Sequence, residues 1–318
     1  MSRLGVNTVK PNVAIVGSGI IGCSWAFVWA RAGYRVHIFD ADKQNRLSVV
    51  EKLEEFASEF REAGLAVPSS FHGLISVVNN VRDAVHDAWY VQESVSETVQ
   101  IKSSVFEELE RHAPCDAILA SSTSAIPLAR FTENLQTRDR CIVAHPATPP
   151  HLLPVVEVVP GPWTRQSTLD ETFSAMQDLG QTPVLVKKEV PNFVMNRLQG
   201  ALLNEMFRLL RDDVISADHV DKLIKDGFGL RWAFLGPLEG VDLNAPGGIA
   251  DYLHRFGKQF DAMAMEEQER VPIVTPELVD MLQTEMRSKI PLNQLDLKRV
   301  WRNRRIAALR HLRDSMET

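Results

Sequence analysis

Short apolar runs alternate with longer amphipathic stretches over the first 187 residues of the chain. Residues 13–16 are uniformly apolar, as in a strand that is buried on both faces, and the stretch 18–32 predicts a helix that ends at Gly33. This alternation predicts a parallel sheet whose strands are joined by helices. Further strands are predicted at 35–39, 75–78, 89–92, 117–120, 141–144, 155–159 and 184–186, and helices at 99–112 and 168–179.

The pattern changes at Pro191, after which amphipathic helices continue without a convincing strand. We therefore expect two domains, an α/β domain over residues 1–190 and an all-α domain over 191–318. The length supports this division, because 318 residues exceed the usual size of one domain.

Composition narrows the class of protein. The apolar content of 45% and charged content of 24% are ordinary for a globular protein, and the formal net charge is −6 with no long block of one sign. These values argue against a nucleic-acid partner and against adhesion to a membrane surface. The polar N-terminus and the three scattered cysteines favour the cytoplasm, and no run is long enough to span a bilayer.

A glycine-rich turn follows the first predicted strand. Gly17, Gly19 and Gly22 form G-x-G-x-x-G between a strand and a helix, where such glycines permit a tight turn, close approach of a pyrophosphate and close helix packing. The helix N-terminus adds unpaired N–H groups for the phosphates. This context predicts a dinucleotide site.

Asp40 ends the second strand, where a carboxylate accepts both hydroxyls of an adenosine ribose. A carboxylate repels the 2′-phosphate of NADP, and no arginine follows in the next three positions. NAD is therefore the expected cofactor, although Lys43 leaves the exclusion of NADP incomplete.

A histidine and a glutamate suggest acid–base chemistry. His145 lies at the carboxyl end of an apolar strand, and Glu157 lies inside the next one, where a carboxylate is costly unless it has a partner. The proline-rich loop between them can return the chain so that the two side chains face each other. A carboxylate on one imidazole nitrogen leaves the other as a base. A structural histidine is the alternative interpretation.

Two further polar positions can complete a site. Ser124 follows another strand at its carboxyl end, where it serves either a substrate or the cap of a helix. Asn196 lies on a helix that is otherwise rich in apolar residues, and its amide needs partners, either in the core or in a ligand. The remaining histidines lack the spacing of metal ligands and are interpreted as surface or structural residues, and no metal is expected.

These residues resemble the L-3-hydroxyacyl-CoA dehydrogenase superfamily, and more closely its branch of λ-crystallin and L-gulonate 3-dehydrogenase. The similar stretches lie within residues 12–257. They are 15–22, 92–97, 121–124, 141–146, 156–160, 188–199 and 227–239.

The resemblance implies a Rossmann-type NAD domain followed by a helical domain that binds substrate and forms a homodimer. It implies that His145 is the catalytic base, Glu157 its partner, and Ser124 and Asn196 the groups that hold the reacting oxygen. It also places cofactor contacts beyond the glycines, at Ile20, Ile21, Asp40, Glu97 and Lys102.

Arg231 bears on the substrate, because a guanidinium can bind a carboxylate with two hydrogen bonds. The stretch around it resembles the branch that acts on free 3-hydroxy acids, which favours L-gulonate or a similar acid. L-carnitine and an acyl-CoA thioester remain alternatives, and so does an NAD-binding crystallin without turnover. A surface ion pair is the structural alternative for Arg231, and Thr148 departs from the asparagine that is common in the family.

Overall fold

The computed structural model describes residues 10–266 and 274–316. The chain divides into two compact units, Met1–Leu198 with Val300–Thr318, and Gln199–Arg299. The last part of the C-terminal helix thus groups with the N-terminal unit. The division of function at residue 190 stays a prediction.

The first unit is built on an eight-stranded sheet of order β3-β2-β1-β4-β5-β6-β7-β8. Strands β1 to β6 are parallel, whereas β7 pairs antiparallel with β6 and parallel with β8. The predicted Rossmann-type, mostly parallel sheet is confirmed. The strands are β1 Asn12–Val16, β2 Arg35–Phe39, β3 Ile75–Val77, β4 Ala88–Glu93, β5 Ile118–Ser121, β6 Cys141–Pro146, β7 Val155–Pro160 and β8 Thr182–Leu185.

Helices cover both faces of this sheet, as a parallel sheet requires. Val13 and Ile15 of β1 point to one core cluster, and Ala14 and Val16 point to the other. The helices of this unit are α1 Ile20–Arg31, α2 Lys43–Leu47, α3 Val49–Glu62, α4 Val81–Val85, α5 Val99–His112, α6 Ala129–Thr132 and α7 Gln166–Asp178.

The described residues of the second unit form helices and connecting turns without a strand, as predicted for the C-terminal region. A small core forms around Leu210, Ala217 and Leu278. Its helices are α8 Met195–Arg211, which begins in the first unit, α9 Ala217–Lys222, a π-helix Leu223–Phe228, α10 Gly229–Trp232, α11 Pro237–Asp242, α12 Gly248–Glu266, α13 Pro276–Lys289 and α14 Leu295–Met316, which ends in the first unit.

Candidate active site

His145 and Glu157 face each other across the antiparallel pair of strands β6 and β7, in which they are direct register partners. Side chains of such partners project to the same face of the sheet, so the ladder itself brings them together. The Nδ1 atom of His145 lies 2.8 Å from Oε2 of Glu157. Both residues are almost fully buried, with 4% and 3% of their surface exposed.

The other oxygen of Glu157 holds the start of helix α8. Oε1 accepts the backbone N–H groups of Val194 at 2.9 Å and Met195 at 2.8 Å. The chain reaches this position through positive φ angles of 65° at Asn192 and 44° at Phe193, so the helix begins only after them. Glu157 therefore contacts the imidazole, as expected, and backbone N–H groups at the same time.

These contacts set the charge of the pair. Burial of the Glu157 carboxyl acts to raise its pKa, but hydrogen bonds from His145, Met195 and Val194 outweigh burial and hold the pKa below its usual value. The carboxylate can only accept, so Nδ1 of His145 carries the proton that the bond needs. Nε2 of the neutral ring then has a lone pair, and it can act as a base.

The side chain of Asn196 contacts the backbone of Ser124. The amide nitrogen Nδ2 of Asn196 donates to the carbonyl oxygen of Ser124 at 2.7 Å. Ser124 is exposed, and helix α6 is capped at Leu128, so the hydroxyl of Ser124 does not serve as a helix cap. Asn196 lies within the first turn of α8, which Glu157 anchors.

Glu97 fixes the loop that carries Ser124. Its Oε1 accepts the backbone N–H groups of Ser124 and Ala125 at 2.8 and 3.0 Å, and the hydroxyl of Thr123 at 2.7 Å. Burial acts to raise the pKa of Glu97, but the Thr123 hydroxyl, the Lys102 ammonium and the two N–H groups together lower it. Glu97 is therefore a carboxylate that orders the serine loop.

Lys102 bridges Glu97 to a second carboxylate that the sequence argument missed. Its Nζ lies 3.2 Å from Glu97 and 2.9 Å from Glu93. Glu93 is fully buried at the end of β4, and it also accepts the Ser121 hydroxyl at 2.5 Å. Glu93 follows the strand predicted at 89–92, so the signal that identified Glu157, a carboxylate within an apolar strand, was absent there, and the observed β4 is one residue longer at this end.

The glycine loop has the geometry that a dinucleotide needs. Gly17 has a φ of 99°, and a Cβ there would lie 2.5 Å from the Ser94 carbonyl oxygen. A Cβ on Gly22 would overlap the Gly17 carbonyl oxygen, whereas one on Gly19 would meet no protein atom within 4 Å. The outer two glycines therefore serve packing, and Gly19 keeps the approach to the turn open.

The start of helix α1 and Asp40 flank this turn. Ile20 begins α1, is 60% exposed, and precedes the half-buried Ile21. Asp40 accepts the backbone N–H of Ser18 at 2.6 Å and that of Asp42 at 2.8 Å, which holds its carboxylate beside the turn. A free helix N-terminus with an adjacent carboxylate fits the pyrophosphate and adenosine ribose of NAD.

Arg231 lies on α10 in the second unit. Its guanidinium lies 5.5 Å from the ring centroid of Phe228, and the residue is exposed. Within residues 10–266 and 274–316 it forms no ion pair, so the alternative of a surface salt bridge is not observed. Thr148, in the loop after β6, is exposed as well.

The described part of the chain contains no group of three or more histidine, cysteine, aspartate or glutamate side chains placed to hold a metal ion. None of the helices in that part is long and apolar enough to cross a membrane.

Comparison with protein families gives two consecutive matches. Residues 12–190 match the family described as "3-hydroxyacyl-CoA dehydrogenase, NAD binding domain", and residues 193–286 match its C-terminal domain.

Individual proteins are also similar over most of the chain. The λ-crystallin homolog of Rattus norvegicus is 34% identical over 96% of this chain and 97% of its own length. The L-carnitine dehydrogenase of Burkholderia mallei is 32% identical over 88% and 85%. The crystal structure of 5-formyl-3-hydroxy-2-methylpyridine 4-carboxylic acid 5-dehydrogenase, described as NAD+-dependent, has a TM-score of 0.82 at 27% identity and covers 95% of this chain and 98% of its own.

Proposed function

Because the chain belongs to the 3-hydroxyacyl-CoA dehydrogenase family, an NAD-dependent dehydrogenase family, we propose that it oxidises the C3 hydroxyl of a small free 3-hydroxy acid resembling L-gulonate. The observation that carries this proposal is the buried pair of His145 and Glu157. The pair lies at the carboxyl edge of the parallel strands, where open α/β sheets bind ligands.

The reaction needs a base for the hydroxyl proton. His145 Nε2 accepts that proton, while the C3 hydride leaves with its electron pair and the C–O bond becomes a carbonyl. The glycine turn and Asp40 would hold NAD, which would supply the acceptor for the hydride. Glu157 stabilises the resulting imidazolium, because its carboxylate stays ionised at 2.8 Å from Nδ1.

Ser124 and Asn196 are the proposed holders of the substrate oxygen. The hydrogen bond from the Asn196 amide to the Ser124 carbonyl oxygen, and the bonds that Glu97 accepts from the serine loop, fix both positions before substrate arrives. Lys102 pairs with Glu97 and with Glu93 beneath that loop, so we assign Lys102 and Glu93 a positioning role.

The free acid is favoured over a thioester because of Arg231. An exposed guanidinium that lies over the ring of Phe228, with no carboxylate partner among the described residues, is suited to bind a substrate carboxylate. L-carnitine is itself a free 3-hydroxy acid, and the similarity to an L-carnitine dehydrogenase supports the same class of substrate. L-carnitine and a 3-hydroxyacyl-CoA are the alternative substrates.

A role of another class is an NAD-binding structural protein without turnover, as the crystallin name of several relatives suggests. The joint presence of Ser124, His145, Glu157 and Asn196 argues for catalysis, because packing alone does not require that set. His145 is bonded to Glu157, and Asn196 is bonded to the backbone of Ser124. Stabilisation by NAD without NADH formation on any 3-hydroxy acid would favour the structural role.

We also propose a homodimer formed through the helical unit, in the cytoplasm. Large apolar side chains of that unit are exposed, which indicates a protein contact. Two-fold dimers are the commonest assembly. The three cysteines are free thiols, which suits a reducing compartment. The exposed apolar residues include Leu230, Phe234, Leu253 and Phe260.

The test is NADH formation from L-gulonate, L-3-hydroxybutyrate, L-carnitine and L-3-hydroxybutyryl-CoA by the wild-type protein and by Arg231→Ala. We expect a free acid to be preferred, and Arg231→Ala to lower its kcat/KM by about ten- to a hundredfold, as for loss of a charged hydrogen bond. Arg255→Ala, which removes an exposed arginine paired with Asp251, is the matched control. A preference for the thioester, together with an unchanged kcat/KM in Arg231→Ala, would contradict the proposal.

A further inference from the structure

The strand order of the sheet indicates where the two halves of a dinucleotide bind. Strand β1 has β2 on one side and β4 on the other, so the strand order reverses between β1 and β4. Open α/β sheets bind dinucleotides in the crevice at such a point. Asp40 at the end of β2 is placed for the adenosine ribose, and the start of helix α1 for the pyrophosphate. The ribose that carries the nicotinamide therefore belongs on the β4 side of the glycine turn.

Ser94 is the first residue after β4 and lies on that side of the turn. Its backbone N–H donates to the carbonyl oxygen of Val16 at 2.7 Å, so it stands beside the end of β1. Its own carbonyl oxygen is the atom that a Cβ on Gly17 would approach to 2.5 Å. Ser94 is only half-buried, which leaves part of it accessible at this edge of the sheet.

The hydroxyl of Ser94 has one partner among the described residues, the hydroxyl of Ser122 at 2.9 Å. The other bonds of Ser122 decide which hydroxyl donates. The indole N–H of Trp25 donates to Oγ of Ser122 at 3.2 Å, and Nε2 of Gln92 donates to it at 2.7 Å. The same Nε2 faces the carbonyl oxygen of Ala144 at 3.5 Å, which can only accept, so the Gln92 amide presents its N–H groups on this side.

These contacts set the direction of the bond between the two serines. A serine hydroxyl has two lone pairs and one proton. Both lone pairs of Ser122 are occupied by N–H donors, so its proton goes to Ser94. Ser94 accepts that bond, and its own proton is left for an acceptor that residues 10–266 and 274–316 do not supply. The network thus makes Ser94 a hydrogen-bond donor at the crevice.

We propose that the Ser94 hydroxyl donates a hydrogen bond to an oxygen of the nicotinamide-side ribose, and that Ser122 is the positioning residue that sets its direction. A ribose oxygen has the lone pairs that such a donor needs. Trp25 and Gln92 are fully buried, so the direction of the Ser94 proton is fixed before the cofactor binds. The inference concerns cofactor binding alone, so the identity of the substrate does not affect it.

The test uses three ligands that contain different parts of the cofactor. NAD+ and ADP-ribose contain the nicotinamide-side ribose, whereas ADP ends before it. Their dissociation constants are measured by calorimetry in the absence of substrate. In Ser94→Ala we expect the constants of NAD+ and ADP-ribose to rise about three- to tenfold, as for loss of one neutral hydrogen bond, and that of ADP to change by less than about twofold.

Ser96→Ala is the matched control, because it removes an exposed hydroxyl two positions further along the same loop. All three constants should stay within about twofold of wild type. An unchanged constant for NAD+ or for ADP-ribose in Ser94→Ala would overturn the proposal. An equal loss for ADP would overturn it as well, since Ser94 would then shape the glycine turn and not the ribose subsite.

The positioning role is tested with Ser122→Ala, alone and combined with Ser94→Ala. A residue that acts through Ser94 should weaken NAD+ binding in the single variant, but add less than about twofold once Ser94 is alanine. The ADP constant should stay within about twofold of wild type, which also shows that the variant is folded. Losses that add in full in the double variant would show that Ser122 does not act through Ser94.

Discussion

Two buried histidines lie six positions apart, His145 in strand β6 and His151 in the loop that follows it. Each lies beside a glutamate. The ring of His145 uses only Nδ1, which bonds to Glu157, and no described residue of the first unit bonds to Nε2. The ring of His151 uses both nitrogens. Its Nδ1 lies 2.6 Å from the Ser24 hydroxyl, and its Nε2 lies 3.4 Å from Glu59.

The residues around the two histidines also differ, in packing and in what the glutamate partner holds. His151 is stacked on Phe56 with ring centroids 4.0 Å apart, and only 1% of it is exposed. Asn303 of helix α14 donates to the other oxygen of Glu59, so this pair joins the C-terminal helix to the core. Glu157 instead uses its second oxygen on the start of α8, the helix that carries Asn196.

The comparison shows that a histidine–glutamate pair is not by itself a catalytic signature. What distinguishes the two is whether a ring nitrogen is left for a substrate. The Ser24–His151–Glu59 cluster is saturated by its own hydrogen bonds and closed to solvent, so its role is structural. The His145–Glu157 pair is held just as firmly, but from one side only.

The largest expected effect is on turnover. His145→Gln should lower kcat by at least about a hundredfold, because general base catalysis is worth about a hundred- to ten-thousandfold. NAD+ binding should remain within threefold of wild type, since the ring does not form the glycine turn. The measurement is NADH formation at saturating substrate, with cofactor binding by calorimetry.

His151→Gln is the control for that experiment, because it changes the other buried histidine in the same way. Its kcat should stay within about threefold of wild type. Near-normal turnover of His145→Gln, or an equal loss in both variants, would remove the distinction between the two pairs.

The next effect is on stability. His151→Ala should lower the free energy of unfolding by about 3 kcal/mol, because it leaves a cavity against Phe56 and removes the hydrogen bonds of the imidazole to Ser24 and Glu59. His86→Ala, at an exposed position, should change it by less than about 0.5 kcal/mol. Urea titration measures both, and a His151→Ala variant as stable as wild type would contradict the structural role.

Much of the active site could be predicted because its determinants are local. A strand ending at His145, a glutamate inside the next strand and a stiff loop between them were enough to predict the contact, and β6–β7 pairing realises it. The strand 35–39 and the helix 99–112 were predicted with the bounds that the structure has.

The contacts that were missed depend on residues distant in sequence or on unusual backbone. The bonds of Glu157 to Val194 and Met195 span 37 and 38 positions and rely on positive φ angles at bulky residues, which no periodicity indicates. The partners of His151 are 127 and 92 positions away.

The smallest expected effect is a difference between the two histidine–glutamate pairs in how the free energy of unfolding depends on pH. Burial holds the pKa of His151 below its usual 6.5, so the folded ring stays neutral while the unfolded chain takes up a proton as the pH falls. Between pH 7.5 and 5.5 this uptake should cost up to about 1.4 kcal/mol of stability, which His151→Gln should not lose. The lowered pKa of Glu157 acts in the opposite way: its stabilisation is complete above the usual 4.5 and is lost only as the pH falls below that value. Urea titrations at both pH values test this, and an unaltered dependence in His151→Gln would assign the proton uptake to another group.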